Sequence, residues 1–178
     1  MRLFFALWPD EGVRAQLAHW SRELKALCGG RPTRAPNLHL TLAFLGTVEA
    51  GRVADVERAA GAVAPVAAAL LLDRPGFWKS NRIAWAGASA PPAAIERLAL
   101  DLRGALARAG IDFDAKPFAT HVTLLRGARE PSAMPALTPV RWEVDGFVLA
   151  RSRLQAGAGR YEIVNAWQVP GRVFRTRC

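Results

Sequence analysis

Two of the three histidines in this chain begin the same four-residue pattern, in which a threonine follows two positions after the histidine. The copies read HLTL from His39 and HVTL from His121. Each copy lies in an apolar run that is typical of a β-strand, and residues i and i+2 of a strand project from the same face. Each histidine therefore stands beside its threonine, Thr41 or Thr123, while the residue between them points into a core.

These side chains are the groups that phosphoryl transfer requires. Imidazole titrates near neutrality, so one ring can accept a proton while a second, charged ring donates one. Threonine hydroxyls can donate hydrogen bonds to the non-bridging oxygens of a phosphate. Two such strands, one from each half of the chain, can face each other across a groove and surround one small anion. The pattern predicts acid–base phosphoryl transfer by His39 and His121 without a metal, with Thr41 and Thr123 binding the phosphate.

Other catalytic chemistries lack their residues in this sequence. The two motif histidines are far apart in the chain, and no cluster of carboxylates or cysteines nearby supplies further metal ligands. No Gly-x-Ser-x-Gly elbow and no phosphate-binding P-loop occurs. His19 has no threonine partner and lies off the apolar stripe of the first expected helix, so we interpret it as a surface residue. We expect neither a metal nor a cofactor.

Composition indicates a globular protein with an anionic partner. The chain has 178 residues, and 24 basic against 15 acidic residues give a net charge of +9. Nucleic acid is the first candidate partner, although a basic soluble protein is the alternative. Cys28 and Cys178 fit neither a metal site nor a disulfide framework. The apolar N-terminal run is too short for a signal peptide or a membrane span. We therefore expect a cytoplasmic protein with no membrane contact.

The periodicity predicts strands and helices in the order β-α-β-α-β-β-α-β-β-β, which indicates an α+β fold with mainly antiparallel sheets. Turns are expected at Pro75-Gly76 and around residues 157–159. Trp78 and Trp85 are expected either to stack on bases or to pack in the core. The expected strands cover residues 3–8, 38–45, 66–74, 81–87, 118–125, 140–151 and 161–169, and the helices follow Asp10, Gly46 and Pro91-Pro92.

At its motifs the chain resembles the 2H phosphoesterase superfamily, and within it the bacterial and archaeal RNA 2′,3′-cyclic phosphodiesterases, historically called 2′-5′ RNA ligases. The resemblance also covers RLFFAL from Arg2, NLHLTLAFLG from Asn37, the segment 118–126, and RSRL from Arg151. It implies one bilobal catalytic domain over residues 1–178. In such a domain, two mainly antiparallel sheets flank a central cleft, the helices lie outside, and each lobe offers one motif strand.

The resemblance implies hydrolysis of RNA 2′,3′-cyclic phosphate ends to 2′-phosphates, so the expected partner is RNA with either kind of end. It implies that His39 is the proton donor to the departing 3′ oxygen and that His121 is the acceptor that activates water. The two motifs are nearly symmetric, so the sequence alone does not fix this direction. Arg126 is either a phosphate contact, as the resemblance implies, or a solvated strand-end residue. We expect a monomer.

Two other functions remain open at this point. The first is 2′-5′ RNA ligation as the physiological direction, in which a 5′-hydroxyl replaces water and the same acid and base operate. The second is a non-catalytic RNA- or nucleotide-binding module that keeps the groove as an anion site.

Overall fold

The computed structural model describes residues 1–153 and 160–171, and these residues form three α-helices and ten strands. The helices are α1 (Glu11–Cys28), α2 (Val53–Gly61) and α3 (Ala93–Arg108). The first five strands are β1 (Arg2–Leu7), β2 (Arg31–Pro32), β3 (Leu40–Thr47), β4 (Ala68–Leu72) and β5 (Arg74–Trp78). The others are β6 (Ile83–Gly87), β7 (His121–Arg126), β8 (Val140–Val144), β9 (Gly146–Arg153) and β10 (Arg160–Gln168).

Eight of the described strands form one antiparallel sheet in the order β10-β9-β1-β3-β7-β6-β5, with β2 added beside β7. The other two, β4 and β8, pair with each other in a small second sheet. Within the large sheet, β3 and β7 pair only through Leu40 and Val122. The sheet therefore has two halves that meet at this point, one carrying each motif. The α+β class with antiparallel sheets is confirmed, and the sheets expected on either side of the cleft are the two halves of the large sheet.

The helices cover one face of the large sheet and leave the other face open. Helix α1 begins after Asp10, whose carboxylate accepts a hydrogen bond from the Val13 amide at 2.8 Å, an N-cap arrangement. Its apolar stripe is buried in the same core as the stripe of α3 and the inner residues of the strands. Each leucine fully buried there contributes roughly 2 kcal/mol of transfer free energy. Among the described residues, no helix has the length and apolarity needed to cross a membrane.

The prediction of a turn at Pro75-Gly76 is wrong, because both residues lie inside β5. The chain reverses at residues 79–82 instead, where Arg82 adopts a φ of 55°. Gly76 is required for a different reason: a Cβ at this position would overlap the Trp85 ring on the neighbouring strand. The single strand expected over 66–74 is also divided, because β4 ends at Leu72 and pairs in the small sheet while β5 pairs in the large one.

The strand expected over 140–151 is likewise two strands, β8 and β9, in different sheets. The break precedes Gly146, where a Cβ would overlap the carbonyl oxygen of Trp167 on β10. His19 is exposed on α1, as expected, and Cys28 is a buried free thiol. The turn expected around residues 157–159, and Cys178, lie outside the described residues.

Candidate active site

A cleft of about 300 Å³ opens where the two halves of the large sheet diverge, and both motifs line it. In an antiparallel pair, one step forward along one strand matches one step back along the other. The pairing of β3 with β7 therefore places His39 towards Thr123 and Thr41 towards His121. The structure thus brings together all four motif side chains that the sequence singled out.

A β-bulge in β7 turns Arg126 towards the same cleft. Consecutive residues of β6 pair with Thr123 and Leu125, which leaves Leu124 as an extra residue. Leu124 and Leu125 are both fully buried in the core, so Arg126 projects from the face of Thr123. Strict alternation would have put this arginine on the core face, and a bulge is a means by which a strand re-aims a side chain.

Strand β3 contains a matching bulge, which moves Ala43 and Phe44 to the faces opposite to those that strict alternation gives. The sequence alternation puts Phe44 in the core and Ala43 on the face of the motif. In the structure, consecutive residues of β1 pair with Thr41 and Ala43, so Leu42 is the extra residue. Ala43 is fully buried in the main core, whereas Phe44 packs with Phe4 on the cleft side. The two strands therefore share a longer pattern, read as HLTLAF and HVTLLR, that ends in a phenylalanine and an arginine respectively.

Both motif histidines are held by the carbonyl oxygen of the residue two positions earlier. The Nδ1 atom of His39 lies 2.6 Å from the oxygen of Asn37, and that of His121 lies 2.9 Å from the oxygen of Ala119. A carbonyl oxygen only accepts, so Nδ1 must carry the proton and donate it. This leaves Nε2 of each ring as the atom that changes protonation, accepting a proton when the ring is neutral and donating one when it is charged.

Aromatic rings enclose the His39 imidazole. Trp8 stacks on it with an interplanar angle of 12° and a centroid distance of 5.6 Å. Tyr161 of β10 approaches at 5.2 Å in an edge arrangement, and Phe4 lies at 4.8 Å. These rings replace water around the imidazole and fix its plane.

A pair of tryptophans occupies the equivalent position beside His121. The Trp78 ring lies 4.5 Å from the imidazole in an edge arrangement and 5.4 Å from the Trp85 ring. Both indoles are half-buried, and Trp85 pairs with Thr123 in the β6–β7 ladder. The two tryptophans therefore stand on the open face of the sheet, next to the motif, while stacking on a base stays a prediction.

Burial lowers the pKa of both motif histidines. The pKa of His39 falls to about 4, because desolvation and the charge of Arg126 outweigh the hydrogen bond to Asn37, which favours the charged ring. Desolvation also lowers the pKa of His121, and Arg126 adds to this effect. Both rings are therefore mainly neutral in the unliganded cleft at neutral pH. A bound phosphate would raise both pKa values, because an anion stabilises an imidazolium.

The remaining lining of the cleft is basic. Arg31 and Arg34 lie in it together with Arg126, and none of its described lining residues is acidic. In the described part of the chain, no group of three histidine, cysteine or carboxylate side chains could hold a metal ion. The cleft therefore suits an anion rather than a cation.

Several lining residues were not predicted from the sequence. Tyr161 reaches the cleft from β10, and Trp8, which follows β1, stacks on His39. Neither of these two strands contains a motif. Arg31 and Arg34 come from the segment between α1 and β3. The only local signal was their position shortly before the first motif.

Comparison with known proteins gives consistent matches. Residues 7–85 match the family described as LigT-like phosphoesterase. The chain is 38% identical to the RNA 2′,3′-cyclic phosphodiesterase of Escherichia coli, over 93% of this chain and 95% of that protein. It is 32% identical to the protein of the same name from Thermus thermophilus, over 96% of this chain and 91% of that one. The crystal structure of E. coli LigT complexed with 3′-AMP superposes with a TM-score of 0.86 at 36% identity, covering 95% of this chain and 98% of that one.

Proposed function

Because this chain belongs to the LigT-like phosphoesterases of the 2H superfamily, we propose that it hydrolyses RNA 2′,3′-cyclic phosphate ends to 2′-phosphates. The observation that carries the proposal is the shared cleft, in which two histidine–threonine pairs face each other with both Nδ1 atoms anchored. The relatives named as RNA 2′,3′-cyclic phosphodiesterases support the choice of substrate.

In the proposed mechanism His121 accepts a proton from water through Nε2, and the water oxygen attacks phosphorus. The bond between phosphorus and the 3′ oxygen breaks as His39 donates its Nε2 proton to that oxygen. The products are a 2′-phosphate and a 3′-hydroxyl, and exchange with solvent restores the two protonation states. Thr41 and Thr123 donate hydrogen bonds to the non-bridging oxygens, and Arg126 balances the charge that develops on the phosphoryl group.

The donor role of His39 depends on substrate binding. Its pKa of about 4 makes the ring neutral in the unliganded cleft, and the negative charge of the cyclic phosphate favours the protonated ring. A substrate in which sulfur replaces the departing 3′ oxygen tests this role, because a thiolate leaves without protonation. This substrate should restore turnover to His39→Ala but not to His121→Ala. Rescue of His121→Ala instead would reverse the assignment.

We also propose a single bilobal catalytic domain over residues 1–178 that acts as a cytoplasmic monomer on RNA, without metal or cofactor. The pairing of the two motif strands within one sheet supports the single domain, because neither half holds a complete site. The net charge of +9 and the basic lining of the cleft support RNA as the partner.

The experiment is product analysis with a defined oligonucleotide that ends in a 2′,3′-cyclic phosphate. Wild type in EDTA should give only the 2′-phosphate, and His39→Ala and His121→Ala should each lose a factor of about 10² to 10⁴ in rate. His19→Ala, at an exposed position on α1, should keep wild-type activity. Full activity in either motif variant, or binding without turnover by wild type, would contradict the proposal. A 2′-5′ linked product with added 5′-hydroxyl RNA would reveal the ligation direction.

A further inference from the structure

One wall of the cleft is a segment that contributes nothing to the two motifs. Arg31 and Pro32 form β2, which pairs with β7 so that Arg31 lies opposite Arg126. The Thr33 amide donates a hydrogen bond to the Leu124 carbonyl at 2.8 Å, and a 3-10 turn at Ala35–Asn37 leads into β3. The segment is therefore fixed to the second motif strand by its backbone.

The charges on this wall are unfavourable without a ligand. Two arginines directly opposite each other on antiparallel strands repel, which destabilises the sheet locally. In the part of the chain that the structure describes, Arg31, Arg34 and Arg126 take part in no ion pair, so no carboxylate offsets the charge of this wall. An anion bound between them would remove the repulsion.

The cyclic phosphate alone does not account for three arginines. It carries one negative charge, which Arg126 and the motif hydroxyls can match. Arg126 is three residues from Thr123, about 10 Å along a strand, and Arg31 lies one strand further out, about 4.8 Å away. The extra charge is therefore placed beyond the reacting group, at the end of the cleft away from His121.

We propose that Arg31 and Arg34 form a second anion subsite that binds the phosphodiester preceding the terminal nucleotide of the RNA. This inference rests on the proposed function and specifies its substrate: an RNA end is selected over a mononucleoside 2′,3′-cyclic phosphate, which lacks that phosphodiester. Two guanidinium groups suit this ligand, because arginine donates paired hydrogen bonds to phosphate oxygens.

The test compares kcat/KM for a mononucleoside 2′,3′-cyclic phosphate with that for a dinucleotide carrying the same terminal group. Replacing both arginines (Arg31→Gln with Arg34→Gln) should lower the dinucleotide value by at least about tenfold and leave the mononucleoside value within about threefold. The control, Arg22→Gln with Arg108→Gln, removes two exposed charges from helices and should affect both substrates equally. When the linkage of the dinucleotide is an uncharged methylphosphonate, its kcat/KM with wild type should fall to about the value for the mononucleoside.

Each outcome decides a different question. If the double variant loses kcat/KM equally on both substrates, or on neither, the subsite is overturned. If wild type still prefers the methylphosphonate dinucleotide to the mononucleoside, base contacts rather than the phosphodiester account for the selectivity, which also overturns the subsite. Failure of wild type on every cyclic phosphate would refute the proposed function itself. A second readout separates binding from folding: Arg31→Gln should raise the midpoint of thermal unfolding at low salt, because it relieves the repulsion with Arg126. A fall in that midpoint would indicate a structural role and contradict the proposal.

Discussion

Acid should destabilise this protein through His39, and replacing that residue by glutamine should remove part of the pH dependence. The folded pKa of His39 is about 4, whereas the ordinary value is 6.5. Above the ordinary value the ring is neutral in both states, so the contribution to stability is complete. As the pH falls through the window between 6.5 and 4, the unfolded chain binds a proton that the folded chain does not, and stability is lost.

The size of the effect follows from the width of that window. A shift of one pKa unit corresponds to about 1.4 kcal/mol, so the free energy of unfolding falls by about 2 kcal/mol at pH 5 and by about 3 kcal/mol at pH 4. These are upper values, because the ring is only half-buried by its aromatic neighbours. His121 adds a change of the same sign, since its pKa is also lowered.

The assay is denaturant unfolding at about pH 7.5 and about pH 5, followed by the fluorescence of the six tryptophans. Between these two pH values, the free energy of unfolding of His39→Gln should fall by about 1 to 2 kcal/mol less than that of wild type. His19→Gln, which changes an exposed imidazole, should follow wild type. Parallel losses in wild type and His39→Gln, or an NMR titration that gives His39 an ordinary pKa, would refute the reasoning.

Three further predictions concern the walls of the cleft. Thr41→Val and Thr123→Val should each lower kcat/KM by about 10- to 100-fold with an unchanged circular dichroism spectrum, because each removes one of the hydrogen bonds proposed to the charged phosphate; unchanged kinetics would contradict this. Trp78→Ala should admit water and raise the pKa of His121, as an NMR titration would report; a constant or lower value would contradict desolvation as the main cause. Gly76→Ala should lower the thermal midpoint, because the new methyl group overlaps the neighbouring indole, and an unchanged midpoint would contradict that overlap.

Strand parity made the centre of the site predictable. The positions of His39 and Thr41 in an alternating run already place both side chains on one face, and the repeat predicts a second such face at His121. The helices were predictable for a similar reason. In α1, for example, the apolar stripe, the N-cap residue and the glycine at the C-terminal end are all signals in the local sequence.

The rest of the cleft depends on pairing between distant segments. One bulge turns Arg126 towards the cleft, and the other turns Phe44 towards Phe4 on the same face of the sheet. Both bulges arise from register shifts in the pairing of β7 with β6 and of β3 with β1. Gly76 resembles a turn residue in the sequence, yet it is required by an indole on the next strand. Tyr161 reaches His39 from the far end of the chain. The local sequence around each residue gives no signal for contacts between segments so distant in the chain.

The most direct test of the central claim is the pH dependence of kcat/KM for a cyclic-phosphate oligonucleotide, measured in EDTA. Two imidazoles acting as base and acid predict a bell-shaped profile. The kcat/KM profile reports the pKa values of the acid and base in the free enzyme. Because burial lowers the pKa of both histidines, the apparent pKa of each limb should lie at or below the ordinary histidine value of 6.5. A profile with a single limb, or loss of activity in EDTA, would contradict the two-histidine, metal-independent mechanism.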